Sequence, residues 1–194
     1  MSSNLYFKTR ARIIQQLGEQ LIRNEATALL ELVKNSYDAD ASKCTIRILH
    51  PTDTDKGEII ISDNGEGMDY NTLSTVWLEI GTSFKDDLKK DPLKTRSPKY
   101  HRLRLGEKGI GRLGVHRLGR EIEIITKTRN SLECVLRVDW ETIEKSRYIE
   151  DIPVEIIKRD PEEFLSGSGT KITIRRLKTP WDRRMARDCA RSIT

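Results

Sequence analysis

Glu31, Asn35 and Asp38 are spaced i, i+4 and i+7, which puts all three on one face of a helix. A carboxylate one turn from a carboxamide can hold a water through Glu31 and a metal ion through the Asn35 carbonyl oxygen. An ordinary solvated helix face is the alternative. The run Ser62-Asp63-Asn64-Gly65-Glu66-Gly67-Met68 follows an apolar stretch. Its two flanking glycines permit positive φ and let a flat ligand approach the backbone. A carboxylate there, Asp63, can accept a hydrogen bond from an exocyclic amine. The alternative is an acidic turn, although the spacing and terminal Glu of an EF-hand loop are missing. Gly106-Glu-Lys108-Gly109-Ile110-Gly111-Arg112-Leu-Gly114 is rich in glycine and leads into a helical pattern. Amide groups at such a helix start favour an anion, and Lys108 and Arg112 add charge. A flexible hinge answers to the same composition. The loop is not a Walker A motif, because no Gly-Lys-Ser/Thr end follows. Gly169-Thr170-Lys171 opens a late strand and by itself reads as a turn.

These groups need elements to hold them. Helical periodicity runs from about Arg12 to Ile22 and again near Glu25–Asp38, where Ala26, Leu29, Leu30, Val33 and Tyr37 form the expected apolar stripe. Strands are expected at Cys44–Leu49 and Glu58–Ser62, then a helix near Asn71–Glu79. Thr82 to Leu105 is polar, contains Pro92 and Pro98 and lacks periodicity. A stretch of that length inside a domain reads as a lid or as disorder. Further strands fall near Glu121–Thr126, Leu132–Val138, Pro153–Ile157 and Lys171–Arg175, and a helix begins at Asp182.

The 194 residues suit one domain, with 36% hydrophobic and 34% charged residues. No run approaches the ~18 apolar residues of a membrane span, and the start has no apolar stretch followed by a cleavage site. Cys44, Cys134 and Cys189 match neither a disulfide framework nor zinc spacing, which suits a reducing cytoplasm. The net charge of +5 is concentrated: Lys85–Arg104 holds eight Lys and Arg, and Arg175–Arg191 holds seven. Such blocks are either phosphate-seeking surfaces or solvated faces.

Taken in order, the Glu/Asn helix, the Asp-Asn-Gly-x-Gly turn, the Gly81-Thr-Ser-x-Lys85 segment, the Gly-x-x-Gly-x-Gly loop and the Gly-Thr strand resemble the GHKL superfamily. Its nucleotide-binding domain has the Bergerat fold, found in gyrase-type topoisomerases, heat-shock chaperones, histidine kinases and MutL proteins, with MORC ATPases as relatives. The resemblance covers about Ala11 to Leu177. It implies an α+β two-layer sandwich, with a mixed β-sheet covered on one face by helices, and a mobile ATP lid at about 82–108. The ATP-binding domain would span 1–180, and 181–194 would begin a C-terminal helix leading to a transducer or effector domain.

The resemblance also assigns roles. Glu31 would be the general base that orients the attacking water, and Asn35 would ligate Mg²⁺ bridging the phosphates. Asp38 would line the same pocket. Asp63 would accept the adenine amino group, Gly67 and Met68 would form the floor beneath the base, and Thr170 would reach adenine through water. Thr82 and Lys85 would begin the lid, in which the lysine reaches the nucleotide. Lys108, Gly109, Ile110 and Gly111 would contact the phosphates, the last three through amide groups. The basic stretch to Arg104 would form the lid body.

Glu31 distinguishes the hydrolytic members from most histidine kinases, so slow ATP hydrolysis to ADP and phosphate is expected, in a chaperone-like, MORC-like or DNA-transaction protein. Glu79 stands where chaperones tend to carry a neutral amide. Two other readings stay open: a nucleotide-sensing module without turnover, and a histidine-kinase-type phosphotransfer domain. His50, His101 and His116 are read as ordinary surface or strand-end residues. By analogy with relatives, an ATP-dependent homodimer would form through the segment near Leu5–Arg10. Nucleic acid contact through the basic blocks is a separate expectation, and no membrane partner is expected.

Overall fold

The computed structural model describes residues 6, 8–79, 96–106 and 114–193. Thr82, Lys85, Lys108, Gly109, Ile110 and Gly111 lie outside the described residues, as does most of the expected lid.

Helix α1 (Ile13–Leu21) precedes α2 (Glu25–Asp38). Helix α2 starts at Asn24, whose side chain accepts the Thr27 amide at 2.8 Å, an N-cap that satisfies one otherwise orphaned donor. Strands β1 (Cys44–Leu49) and β2 (Glu58–Asp63) follow, then a short helix α3 (Tyr70–Thr72) that runs into a π-helical turn at Leu73–Trp77. Helix α4 (Gly114–Leu118) feeds β3 (Gly119–Lys127), which leads to β4 (Glu133–Asp139). Sequence periodicity did not suggest the next helix, α5 (Trp140–Lys145), which is capped by Asp139. Strands β5 (Ile156–Arg159) and β6 (Gly169–Leu177) and helix α6 (Arg183–Ile193) complete the described elements. Asp182 caps α6 by accepting the Met185 amide at 2.7 Å.

The six strands form one sheet in the order β1-β2-β6-β3-β4-β5, and every hydrogen-bonded pair is antiparallel. The expected mixed sheet is therefore corrected in detail. Strands β2 and β3 do run parallel to each other, but β6 inserts between them, so no two bonded neighbours share a direction. One face of the sheet carries Ile59, Ile61, Ile122, Ile124 and Ile174, buried with Leu29, Leu32 and Leu118 from the helices. The other face carries an ion-pair ladder across three strands and into a fourth. Arg175 meets Glu58 at 3.1 Å and Glu123 at 3.2 Å, and Arg137 meets Glu123 at 2.6 Å. Opposite charges on cross-strand neighbours stabilise the register. The result is a two-layer α+β sandwich.

Helix α2 is rotated relative to its expected stripe. Its buried residues are Ala28, Leu29, Leu32, Ser36 and Asp38, whereas Tyr37 is exposed. Two polar residues on the inward face of a helix need partners there, and those partners build the site.

Candidate functional site

Asp63 ends β2 and is buried. Its Oδ2 accepts the Ser36 hydroxyl at 2.8 Å and its Oδ1 accepts the Gly65 amide at 2.9 Å. Burial pushes the carboxyl above its ordinary value; hydrogen bonds from the Gly65 amide, the Ser36 hydroxyl and the Thr170 amide only partly oppose this. Three donors reach a carboxylate that offers about four acceptor sites, so it can accept one further N–H.

The turn after Asp63 folds against β3 and β6. Gly67 has φ 68°, and a Cβ there would stand 2.0 Å from the Lys127 carbonyl oxygen, so only glycine fits this approach. The next amide, of Met68, donates to Thr126 Oγ1 at 2.8 Å. That hydroxyl also lies 3.0 Å from Thr170 Oγ1 and 3.1 Å from the Gly169 carbonyl oxygen. The register explains the cluster, because Asp63 pairs with Thr170 and Thr126 with Thr170 on the same sheet face. Asp63, Gly67 and Met68 are thus brought together with the distant Thr170 at one end of the sheet.

Ser36 and Thr126 were missed in the sequence. Ser36 lies four residues beyond Leu32 on the inward stripe, a helical signal that could have found it. Thr126 had no such signal, because only the strand pairing places it under the turn.

On α2, Glu31 is half-buried and forms an ion pair with Lys34 Nζ at 2.7 Å; Asn35, one turn along, is also half-buried. Asp38 turns to another task. Its Oδ1 accepts the Leu105 amide at 2.7 Å and its Oδ2 the Gly106 amide at 3.0 Å. The carboxylate therefore anchors the start of the glycine-rich loop to α2.

The basic residues of 96–106 are also committed. Arg102 Nη1 donates to the Ala41 carbonyl at 2.7 Å and the Tyr37 carbonyl at 3.3 Å, and Arg104 Nη1 to the Asp38 carbonyl at 3.1 Å. Arg102 also sits 4.7 Å and 4.6 Å from the ring centroids of Tyr37 and Tyr100. Cations at a helix C-terminus satisfy its free carbonyls and complement its dipole. Asp40 accepts the Lys99 amide at 2.7 Å. Burial opposes its ionisation, but the Ser97 hydroxyl, the Lys99 and Tyr100 amides and Arg102 outweigh burial and hold its pKa below the ordinary value. In this part of the expected lid body, Arg102 and Arg104 are engaged by the C-terminal carbonyls of α2 and the Ala41 carbonyl.

His116 is also not a surface residue. It is buried on α4, 3.0 Å from Glu144 Oε1, 3.1 Å from Lys178 Nζ and edge-on to Trp140.

The residues fit an adenine nucleotide: a buried acceptor at a strand end and a glycine that admits a flat group to the backbone. They also fit Mg²⁺ held mainly by phosphates. Among the described residues, no group of three or more His, Cys, Asp or Glu could hold a metal by itself, and Mg²⁺ commonly takes few protein oxygens. No described helix is long and apolar enough to cross a membrane.

Residues 23–170 match the family model described as histidine kinase-, DNA gyrase B-, and HSP90-like ATPase. The chain is 30% identical over 167 residues to the putative type II restriction enzyme HgiDII of Herpetosiphon aurantiacus, covering 86% of this chain and 25% of that protein. It is 32% identical over 82 residues to the DNA mismatch repair protein MutL of Chlamydia muridarum, covering 42% of this chain and 14% of MutL. The chain therefore spans at most about a quarter of the relatives it matches. The family match runs from the start of α2 to Thr170, through Asp63 and the Gly67 turn, and on that ground the chain belongs to the histidine kinase-, DNA gyrase B- and HSP90-like ATPases.

Proposed function

We propose that this chain binds ATP with Mg²⁺ and hydrolyses it slowly, as the nucleotide-binding module of a larger nucleotide-gated protein. The observation that carries the reading is Asp63: a buried carboxylate with spare acceptor capacity beside Gly67, Met68, Thr126 and Thr170. It would accept the adenine amino group and so disfavour guanine, which presents a carbonyl there. Asn35 would hold Mg²⁺ through its side-chain oxygen. The ion supplies charge neutralisation on the phosphates. Glu31 would orient and deprotonate the attacking water, with Lys34 holding its carboxylate in place. Asp38 acts one step removed, by fixing Leu105 and Gly106 at the start of the loop that would meet the phosphates. Thr82, Lys85, Lys108, Gly109, Ile110 and Gly111 keep the roles the resemblance gives them, as lid start and phosphate contacts.

The relatives are named as a restriction enzyme and a mismatch repair protein, which favours a DNA-transaction role over a chaperone-like one. Calorimetric titration of ATP, with and without Mg²⁺, tests the reading on the wild type and on Asp63→Asn. Mg²⁺-dependent binding that the variant loses supports it, and no binding by the wild type overturns it.

A second reading, nucleotide sensing without turnover, is favoured by the Glu31–Lys34 ion pair, which engages the would-be base. Phosphate release by wild type but not Glu31→Ala would exclude it.

A further inference from the structure

Three cations converge on one ring. Lys8 Nζ, Arg10 Cζ and Arg147 Cζ stand 5.6, 5.1 and 5.3 Å from the Tyr148 ring centroid. Two distant stretches of chain bring them there. Arg10 forms an antiparallel bridge with Tyr148, the Ala11 amide donates to the Arg147 carbonyl at 3.3 Å, and the Ile149 amide donates to the Thr9 carbonyl at 3.2 Å. All three cationic residues are exposed, and among the described residues none has a carboxylate partner. Glu150 and Asp151 follow in the next turn and pair with none of them.

Three like charges around one point lie within about a Debye length of one another and repel. The ring returns only a modest attraction to each exposed cation. An anion held between the three would relieve the repulsion. An arginine held over an aromatic ring keeps its N–H groups free to fork onto a phosphate.

Among the described residues, several other basic groups are engaged within the molecule. Arg102 and Arg104 cap α2, Arg175 bridges Glu58 and Glu123, and Arg176 meets Glu121 and Glu141. Arg184 and Arg191 share Asp188. Among the described residues of Arg175–Arg191, exposed Arg183 and Arg187, between Asp182 and Asp188 on α6, form no ion pair.

We propose that Lys8, Arg10 and Arg147, backed by Tyr148, form a binding site for the phosphate backbone of nucleic acid. The site shares no residue with the nucleotide pocket, so the proposal and the ATP reading fail independently.

The test is fluorescence anisotropy of a labelled DNA duplex with the full chain, at low and at moderate salt. Wild type should bind, and binding should weaken steeply as salt rises. Arg10→Ala/Arg147→Ala should bind about tenfold more weakly at low salt, with a salt slope shallower by about two. Arg183→Ala/Arg187→Ala, which lie outside the proposed site, should stay within about twofold of wild type. ATP titrations of all variants should match wild type. If the double variant does not fold, Lys8→Gln, whose side chain makes no hydrogen bond or ion pair among the described residues, should still weaken binding about threefold. Unchanged binding in the Arg10/Arg147 variant, or loss only in the α6 variant, overturns the proposal. So does a wild type that binds inorganic tripolyphosphate and not the duplex, because the site would then take small anions.

Discussion

The Ser36 hydroxyl donates to Asp63 Oδ2 across 2.8 Å, joining the inward face of α2 to the end of β2. The helix carries Glu31 and Asn35, and the strand carries the acceptor that would read the base. One hydrogen bond therefore ties the helix that carries the proposed base to the strand that carries the proposed adenine acceptor. Its buried partners also explain why Asp63 can be replaced without collapse. An amide at position 63 keeps one oxygen for Gly65, and the Ser36 hydroxyl can turn to accept instead.

Asp63→Asn is accordingly expected to weaken ATP binding by about 10–100-fold, the loss of a charge-assisted hydrogen bond. Calorimetry measures it. The variant should not melt earlier than wild type. Burial raises the folded pKa of Asp63, so its ionised form at neutral pH costs stability, and the contribution becomes more favourable as pH falls through that raised pKa.

Glu31→Ala should abolish phosphate release while ATP affinity stays within about threefold, because a general base acts mainly in the transition state. Retained turnover in a phosphate-release assay would remove Glu31 from the role.

Gly67→Ala places a Cβ against the Lys127 carbonyl at a positive φ. We expect about 2–3 kcal/mol of destabilisation, read by denaturant unfolding, together with weaker ATP binding.

Asp38→Ala removes both anchors of Leu105 and Gly106. The buried Gly106 amide loses its partner at about 1–3 kcal/mol, and the part-buried Leu105 amide loses its partner at less. The expected kinetic signature is a raised KM for ATP with a smaller change in kcat, since Asp38 positions the loop. A lowered kcat with KM unchanged would show that it acts in the chemical step.

Glu133 should make the fold acid-sensitive. It is fully buried; burial opposes its ionisation, but the Phe164 amide, Arg159 and the Glu163 amide outweigh burial and hold its pKa below the ordinary value. The stabilisation is complete above the unfolded value and is lost as pH falls through the lowered folded one. Thermal melts from neutral pH down to about 3 should show a decline that is shallower in Glu133→Gln.

The bounds of α2 and β1 were legible in the sequence, because caps, periodicity and turn residues act over a few positions: both elements run as expected, Glu25–Asp38 and Cys44–Leu49. The ordered motifs pointed to the family for the same local reason, since a turn that must admit a flat ligand needs Gly67 wherever it lies in the fold. Tertiary structure decided the rest. The sheet became wholly antiparallel when β6 inserted between β2 and β3, a pairing 107 or more residues apart that no local pattern encodes. Thr126 joined the pocket through the register of β3 with β6. Arg102 and Arg104, read in sequence as part of a basic block, became the C-terminal cap of α2, whereas Arg10 and Arg147 met at Tyr148 with no carboxylate partner among the described residues. Charge counted along a chain says how many cations exist. Which of them meet a carbonyl or a carboxylate, and which remain free for a partner, depends on distances set only by folding.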